Sequence, residues 1–515
     1  MAAHWLDELE TAYAAKLAAS PIKVSLIAHT ERPFDIAAAS ARTCYSSKGL
    51  LTPDDMHKSE KSLELRKKVA KATLKSGHHT TRQHAQFVFG LENVSRQVIW
   101  QILHAHPYYN SEQVSQRYVP IKNDRTWYTL PSSLSANSDV HALHESAFAT
   151  YTALIETLKP VVEDVYFSIH RLKARNKEAC ADAIKKRCME VARYVMPVST
   201  VAYLYHSVSS LTLMRYARML MWSNYEEFVL LGIHMFRLIR KTDPDLFEEL
   251  PEPLPGPSRS FNSDDARNKN TAFDQKLGGK SAVLVSASVA ALRDGWIYAA
   301  PATDDSGAHN ALNPQYNELL GDVFYPGTLD ETSRLLNHAH FTFLKKLSHT
   351  ADSQEQRHRT LPGNRPHLPS QISLEDDYIT PRLIAETESA RTIYVDYLSR
   401  NFDIVRKLWR NDALPREDIA YILPNAFPIR FMESGDFYNF YHKWKSRLCY
   451  NAQEEIFYSS HAEVSEIKNR YADIGKHIGP PCVVREHLKP RCPEGDHFCG
   501  IKVWQVPFAA YDRII

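Results

Sequence analysis

The sequence predicts an α+β protein in which one arrangement of strands and helices is built twice. Three observations carry this. Residues 22–28 alternate apolar and polar side chains and read as a strand, and residues 281–288 resume that character. Long helical stretches run over about 139–177 and 380–410. Between the halves, proline-rich residues 251–258 give way to polar residues 262–270, which are poor in core-forming side chains. The expected division is residues 1–240, a linker at 241–281, and residues 282–515.

Residues 5–20 carry the periodicity of a short amphipathic helix. Residues 37–45 are rich in small side chains, which permits close packing, and Cys44 among them is expected to be buried and inert. A helix near 59–76 stops at Gly77. His78, His79, Thr80 and Thr81 then precede His84-Ala85-Gln86-Phe87-Val88-Phe89. A helix end followed by a strand accounts for the two phenylalanines, but not for the imidazoles and hydroxyls in front of them. Ser95-Arg96 and Gln101 lead to His104-Ala105-His106, and then to Gln113, Ser115, Arg117 and Tyr118. Residues 192–197 read Ala-Arg-Tyr-Val-Met-Pro, and an apolar helix with Ser209, Leu211, Arg215 and Leu220 follows.

The same order recurs in the second half. His338-Ala339-His340-Phe341-Thr342-Phe343 repeats the first strand block, and Ser348 and Gln354 lead to Arg357-His358-Arg359 in the slot of His104-Ala105-His106. Two guanidinium forks flanking an imidazole make a compact cationic corner suited to phosphate. Ala420-Tyr421-Ile422-Leu423-Pro424 matches the run from Ala192 to Pro197, with Tyr421 expected in the place of Arg193. Asp436, Tyr438, His442 and Arg447 occupy the late helix, and Gln453, Glu455 and Ile456 follow it.

These blocks resemble the flavin-dependent thymidylate synthases (ThyX), a family that methylates dUMP using FAD, NADPH and methylenetetrahydrofolate. The family motif continues past Arg-His-Arg to a Ser-x-Arg end. Residues 360–366 lack that end, whereas Gln113, Ser115, Arg117 and Tyr118 keep it in the first half. The resemblance implies a curved antiparallel sheet with long helices in each half, the halves packing as a pseudo-dimer. Because the family works as a homotetramer with sites between subunits, it also implies a homodimer of tandem chains.

Carried over residue by residue, the resemblance implies one composite site. Gln113, Ser115, Arg117 and Arg193 survive in the first copy, and Gln354, Arg357 and Arg447 in the second. All seven would bind dUMP. Arg447 would also be the catalytic group, stabilising negative charge on uracil as N3 loses its proton. His78, Thr80, Arg357, His358, Arg359 and His442 would hold FAD. Asp436 and Tyr438 replace the family's Asn and Arg, and a carboxylate near the FAD phosphates is unfavourable. A nucleotide-binding relative with different chemistry, or a regulatory pseudoenzyme, is the alternative.

With 62 basic and 60 acidic residues the net charge is +2, which predicts neither nucleic-acid nor membrane binding. No apolar run is long enough to span a bilayer. Residues 1–8 lack the basic-then-apolar design of a signal peptide, and seven cysteines in 515 residues suggest no disulfide framework, so a cytoplasmic location is expected. Near the C-terminus Cys482, His487, Cys492, His497 and Cys499 cluster. Such soft ligands admit a structural zinc on Cys482, Cys492 and Cys499; reduced thiols and surface histidines are the alternative.

Overall fold

The computed structural model describes residues 5–123, 127–290, 292, 312–322, 324, 327–513 and 515, so the first four residues of the segment read against a signal peptide lie outside the described set. Among the described residues, seven strands form two antiparallel sheets. The first contains β1 (Lys23–His29), β2 (Gln86–Ser95), β3 (Asn110–Gln113) and β4 (Val201–Ser209) in the order β1-β2-β4-β3. The second contains β5 (Ala282–Ser288), β6 (His340–Ser348) and β7 (Pro428–Asp436) in the order β5-β6-β7. Both sheets slip register in their first pair, at Leu26/Ala28 and at Leu284/Ser286. Alternation turns Phe87, Phe89 and Leu91 of β2 inward, and likewise Phe341, Phe343 and Lys345 of β6.

The helices around the sheets include α1 (Arg96–Ala105), α2 (Ser138–Ile169), α3 (Ala181–Ala192), α4 (Ser210–Met219), α5 (Ser263–Leu277), α6 (His349–Glu355), α7 (Glu388–Trp409) and α8 (Phe437–Arg447). Each central strand runs into a serine N-cap. Ser95 accepts from the Val98 amide, and Ser348 from the Ala351 amide. Each serine also donates to a glutamate, Ser95 to the buried Glu227 and Ser348 to the half-buried Glu455. Helices α2 and α7 pack in one core shared by both halves, with Leu154, Leu158, Tyr394 and Leu398. Phe87, Leu213 and Phe236 lie in a second core behind the first sheet, and Phe341, Phe440 and Trp444 in a third behind the second.

The halves meet along a seam of reciprocal backbone bonds. Val198 N donates to Leu423 O at 2.9 Å, and Asn425 N to Met196 O at 2.7 Å. Ser199 N donates to Tyr421 O at 3.2 Å, and Ala426 N to Tyr194 O at 2.9 Å. Pro197 and Pro424 bridge at its middle. Every bond has a mate in which the halves exchange roles, as in an isologous interface. This corrects the expected alignment: Tyr421 is the counterpart of Tyr194, and Ala420 that of Arg193.

Other expectations change as well. The stretch read as a linker contains Pro244–Glu248 and the fifteen-residue α5. Asn262 caps α5, Gly278 ends it at φ 57°, and Asp274 pairs with Arg430 and Lys346. Its tertiary partners are largely charged, so an apolar pattern does not reveal it. Cys44 is exposed rather than buried. The first helix divides into Trp5–Ala12 and Ala14–Ala19, the stretch begun at 139 ends at Ile169, and that begun at 380 divides into Arg382–Glu386 and α7. Among the described residues no helix is long and apolar enough to cross a membrane.

Candidate active site between the halves

The seven residues expected to bind nucleotide line one cleft of about 270 Å³, together with Arg96. Gln113 ends β3, and Ser115 and Arg117 lie in the turn after it. Arg193 is the C-cap of α3. Gln354 lies on α6, Arg357 just past it, and Arg447 ends α8. Residues far apart in the chain therefore meet because the seam brings the turn after β3 against the end of α8.

Arg96 Nη2 donates to Val114 O at 2.8 Å, and Arg193 Nε to Glu190 O at 3.1 Å. Arg447 Nε donates to His358 Nε2 at 2.9 Å, and its Nη2 to Gln354 O at 3.0 Å. Among the described residues, none of these three guanidinium groups pairs with a carboxylate within 4.0 Å. Arg96 Nε, Arg193 Nη2 and Gln354 Nε2 are buried without a hydrogen-bond partner. Burial lowers Arg96 to about 9, with Arg193 adding repulsion. Burial lowers Arg193 and Arg447 to about 10 each, and Arg117 repels both. Buried cations this close are unfavourable unless an anion joins them.

The remaining two arginines are paired. Arg117 reaches Glu190 at 2.7 Å and the Asn451 carbonyl at 2.9 Å. Burial would raise the Glu190 carboxyl, but Arg117, Arg513 and two further guanidinium groups outweigh it and hold it at about 2. Arg357 crosses the seam to the exposed Glu112 at 3.0 and 3.2 Å. Such an exposed pair is weak and exchangeable. The cleft therefore offers several guanidinium forks and the Ser115 hydroxyl to a phosphate dianion.

A second cleft of about 230 Å³ shares Gln113 and Arg357 with the first, and Tyr109, Tyr205 and Arg359 also line it. Arg359 lies over the Tyr109 ring at 5.2 Å. Four of the six residues expected to hold a cofactor gather here or beside it, and two do not. Arg357 and Arg359 face this cleft. His358 is turned onto Arg447, and its ring stands 6.1 Å from that of His442. Burial, with Arg447 adding to it, holds His358 well below the usual imidazole range, so the ring is neutral and Nε2 accepts. His78 and Thr80 sit exposed at the turn His79–Gln83 and line neither cleft.

The counterpart position across the seam is closed. Arg96 N donates to Thr200 O and His349 N to Phe427 O, which makes Arg96 and His349 equivalent. Arg96 lines the open cleft. His349 is fully buried, its ring 5.4 Å from that of Trp100. Nearby, Asp352 accepts from Trp100 Nε1 at 2.8 Å and from Arg365 at 2.8 and 3.1 Å. Burial holds His104 at about 4, so it is a neutral neighbour of Asp352. Side chains of the protein fill the place of the Arg96 guanidinium, and His104 and Arg365 line a cleft of about 400 Å³ beside it.

Three features escaped the sequence reading. Arg96 was visible in Ser95-Arg96, and its place just after a capping serine was the available signal. The second is a buried ion cluster. Lys345 pairs with Glu355, with Glu463 at 2.6 Å and with Glu433 at 3.1 Å. Lys443 pairs with Glu355 and Glu433 at 2.6 Å and with Glu463 at 3.0 Å. The three carboxylates have a spacing open to a metal ion, but each is already paired with both ammonium groups. Continuing the β6 alternation from Phe341 and Phe343 would have placed Lys345 inside. In the tail, Cys482, Cys492 and Cys499 surround one small cavity with Cys449, which the sequence reading passed over. Among the described residues no three of these thiols fall within 4.8 Å of one another, so the expected cysteine triad is gathered but not closed.

The family model described as "Thymidylate synthase complementing protein" matches residues 25–245 and 319–471. The chain is 27% identical over 228 residues to the flavin-dependent thymidylate synthase of Clostridium tetani, covering 44% of this chain and 86% of that relative. It is 26% identical over 243 residues to the flavin-dependent thymidylate synthase of Geobacter sulfurreducens, covering 46% of this chain and 90% of that relative. With more than half of its residues matched by the family model, on both sides of the polar stretch between the sheets, this chain belongs to the thymidylate synthase complementing protein (ThyX) family.

Proposed function

We propose that the chain is a FAD-dependent thymidylate synthase made of two tandem ThyX-like units, residues 1–240 and 282–515, which share one composite site. The observation that carries the reading is the cleft itself. Gln113, Ser115, Arg117 and Arg193 approach it from one half, and Gln354, Arg357 and Arg447 from the other. The exchange symmetry of the seam supports the tandem part. So does the fact that fewer than half of this chain's residues span most of a relative.

The reaction is reductive methylation of dUMP to dTMP, with methylenetetrahydrofolate as carbon donor and NADPH as reductant. Arg117, Arg193 and Ser115 bind the phosphate. Arg447 stabilises negative charge on the uracil ring as N3 loses its proton, which makes C5 nucleophilic, and among the described residues no cysteine lines the cleft to do this covalently. The neutral His358 accepts from Arg447 Nε and so fixes the direction of its fork.

The second cleft fits an anionic, planar cofactor in its cationic and aromatic wall, formed by Arg357, Arg359, Tyr109 and Tyr205. When bound, flavin supplies the hydride chemistry, while the protein supplies position and field. His78 and Thr80 stand apart from that wall, so the reading includes a homodimer in which each chain offers them to its partner. Exposed Ile27, Tyr203 and Tyr205 on the first sheet support a covered face there. The same reading places the protein in the cytoplasm, with neither a nucleic acid nor a membrane as partner.

The test combines the absorption spectrum of purified protein, dUMP titration, and tritium release from dUMP labelled at C5. Flavin bands and release that depends on NADPH and methylenetetrahydrofolate are expected. A second reading, a nucleotide-binding regulator without flavin, draws on Asp436, whose carboxylate caps α8 where the family has an asparagine. It predicts dUMP binding with no flavin bands after FAD is added. Absence of dUMP binding overturns both readings.

A further inference from the structure

Four of the seven cysteines meet in the C-terminal region, although they arrive from separate parts of the chain. Cys449 lies just past α8, and Cys482 on the short helix Pro481–Val484. Cys492 and Cys499 lie on the loop that follows it. None of the four is joined in a disulfide, and all four line one small cavity. Cys449 and Cys499 each hydrogen-bond to the backbone two residues on, at Asn451 and Ile501. His487 and His497, by contrast, do not line the cavity.

We propose that Cys449, Cys482, Cys492 and Cys499 form a tetrahedral zinc site that ties the tail to Asn451 and thereby holds Arg117 in the composite cleft. The donor set suits Zn²⁺. Four thiolates make a closed structural site, with Zn–S distances of about 2.3 Å. The thiols are not yet at bonding separation, and side-chain rotation into the cavity they share would close them around one ion. Each thiol releases its proton to solvent as it binds, and no electrons change hands.

The consequence for Arg117 runs through named atoms. Asn451, two residues after Cys449, donates from Nδ2 to the His497 carbonyl at 2.6 Å and to Glu494 at 3.3 Å. His497 and Glu494 belong to the loop between Cys492 and Cys499. The Asn451 carbonyl in turn accepts from Arg117 Nη2 at 2.9 Å. Clamping that loop therefore fixes the carbonyl that orients Arg117. The link to nucleotide binding rests on the composite-site reading, whereas the metal site does not.

The experiment measures metal content by plasma mass spectrometry on full-length protein purified without added metal, alongside dUMP titration. Wild type is expected to carry about one zinc per chain. Cys482→Ser and Cys492→Ser should each lose at least about tenfold in zinc affinity, whereas Cys44→Ser should not. Should the variants fail to fold, chelator-stripped wild type reloaded with Co²⁺ should show thiolate-to-metal absorption. Stripping should weaken dUMP binding about tenfold, and zinc should restore it. Only trace zinc with no thiolate–Co²⁺ band, or a disulfide among these four cysteines, overturns the site. Stoichiometric zinc whose removal leaves dUMP affinity unchanged overturns the link to Arg117. A wild type that never binds dUMP, with zinc in place, overturns the composite-site reading and not the metal site.

Discussion

Behind the first sheet, His206 of β4 and Tyr216 of α4 meet as a neutral pair, Nε2 to hydroxyl 2.9 Å. Behind the second, Glu433 of β7 and Lys443 of α8 meet as ions at 2.6 Å. The positions correspond: Phe89 pairs across the ladder with His206, and Phe343 with Glu433. Burial holds His206 at about 3, so that pair carries no charge at neutral pH. One backbone frame thus tolerates either chemistry, provided each interior is internally paired. The half with the charged interior also carries Gln354 to Arg359, with Glu355 of the ion cluster inside that run. The half with the neutral His206–Tyr216 pair carries the neutral slot of His104 and His106.

The largest separation of the two interiors should come from stability. Lys443→Met leaves three buried carboxylates facing one ammonium and should cost about 3–5 kcal/mol in denaturant unfolding. Tyr216→Phe, at the counterpart position, should cost about 1 kcal/mol. Equal losses would break the comparison. Next in size is a catalytic contrast. Arg447→Ala should lower turnover about a hundredfold while weakening dUMP binding less, whereas Leu220→Ala at the matching helix position should alter melting temperature alone. A Leu220 variant with the same turnover defect would mean that both positions serve the chemistry.

Nucleotide affinity sharpens the comparison further. Arg117→Ala should weaken dUMP binding about tenfold or more in calorimetric titration, since a charge-assisted bond contributes about 1.5–3 kcal/mol. His106→Ala, in the neutral slot, and Tyr421→Phe, on the seam, should change it much less. The smallest effect should appear where the halves agree. Burial raises Glu227 to about 7, against the hydrogen bonds from Ser95, and Glu455 is raised in the same way beside Ser348. A raised carboxyl keeps its proton in the fold after the unfolded chain has lost it. Its stabilisation is therefore complete below about 4.5 and lost as pH rises through about 7. Melting temperature should fall over that window and Glu227→Gln should flatten the slope there, while Glu455→Gln should flatten the fall above about 4.5; an unchanged slope in either variant would break the agreement.

Much of the candidate site was legible because its chemistry is local. A serine just before a helix start and an arginine at fixed spacing from a glutamine or serine can be read one element at a time. The closed counterpart was not legible, since Arg365 and Asp352 meet Trp100 only across the seam. Nor was the inward turn of His358, which follows from where α8 ends rather than from its neighbours in sequence. The register of Tyr421 was misread because Ala-Tyr and Ala-Arg-Tyr align equally well by type. Only the bond from Ser199 N to Tyr421 O, matched by that from Ala426 N to Tyr194 O, distinguishes them.

The sequence by itself determined the alternation of β2 and β6, the serines that end them, and the identity of four of the five guanidinium groups that line the cleft. These follow from side-chain periodicity and residue type, which act over a few positions. Tertiary structure alone decided which half would be open and which filled, that Lys345 and Lys443 would be buried among carboxylates, and that Cys449 would join three cysteines of the tail. Each of those depends on desolvation and on contacts between segments far apart in the chain. Burial and charge balance are properties of a finished interior, and no short stretch of sequence contains them.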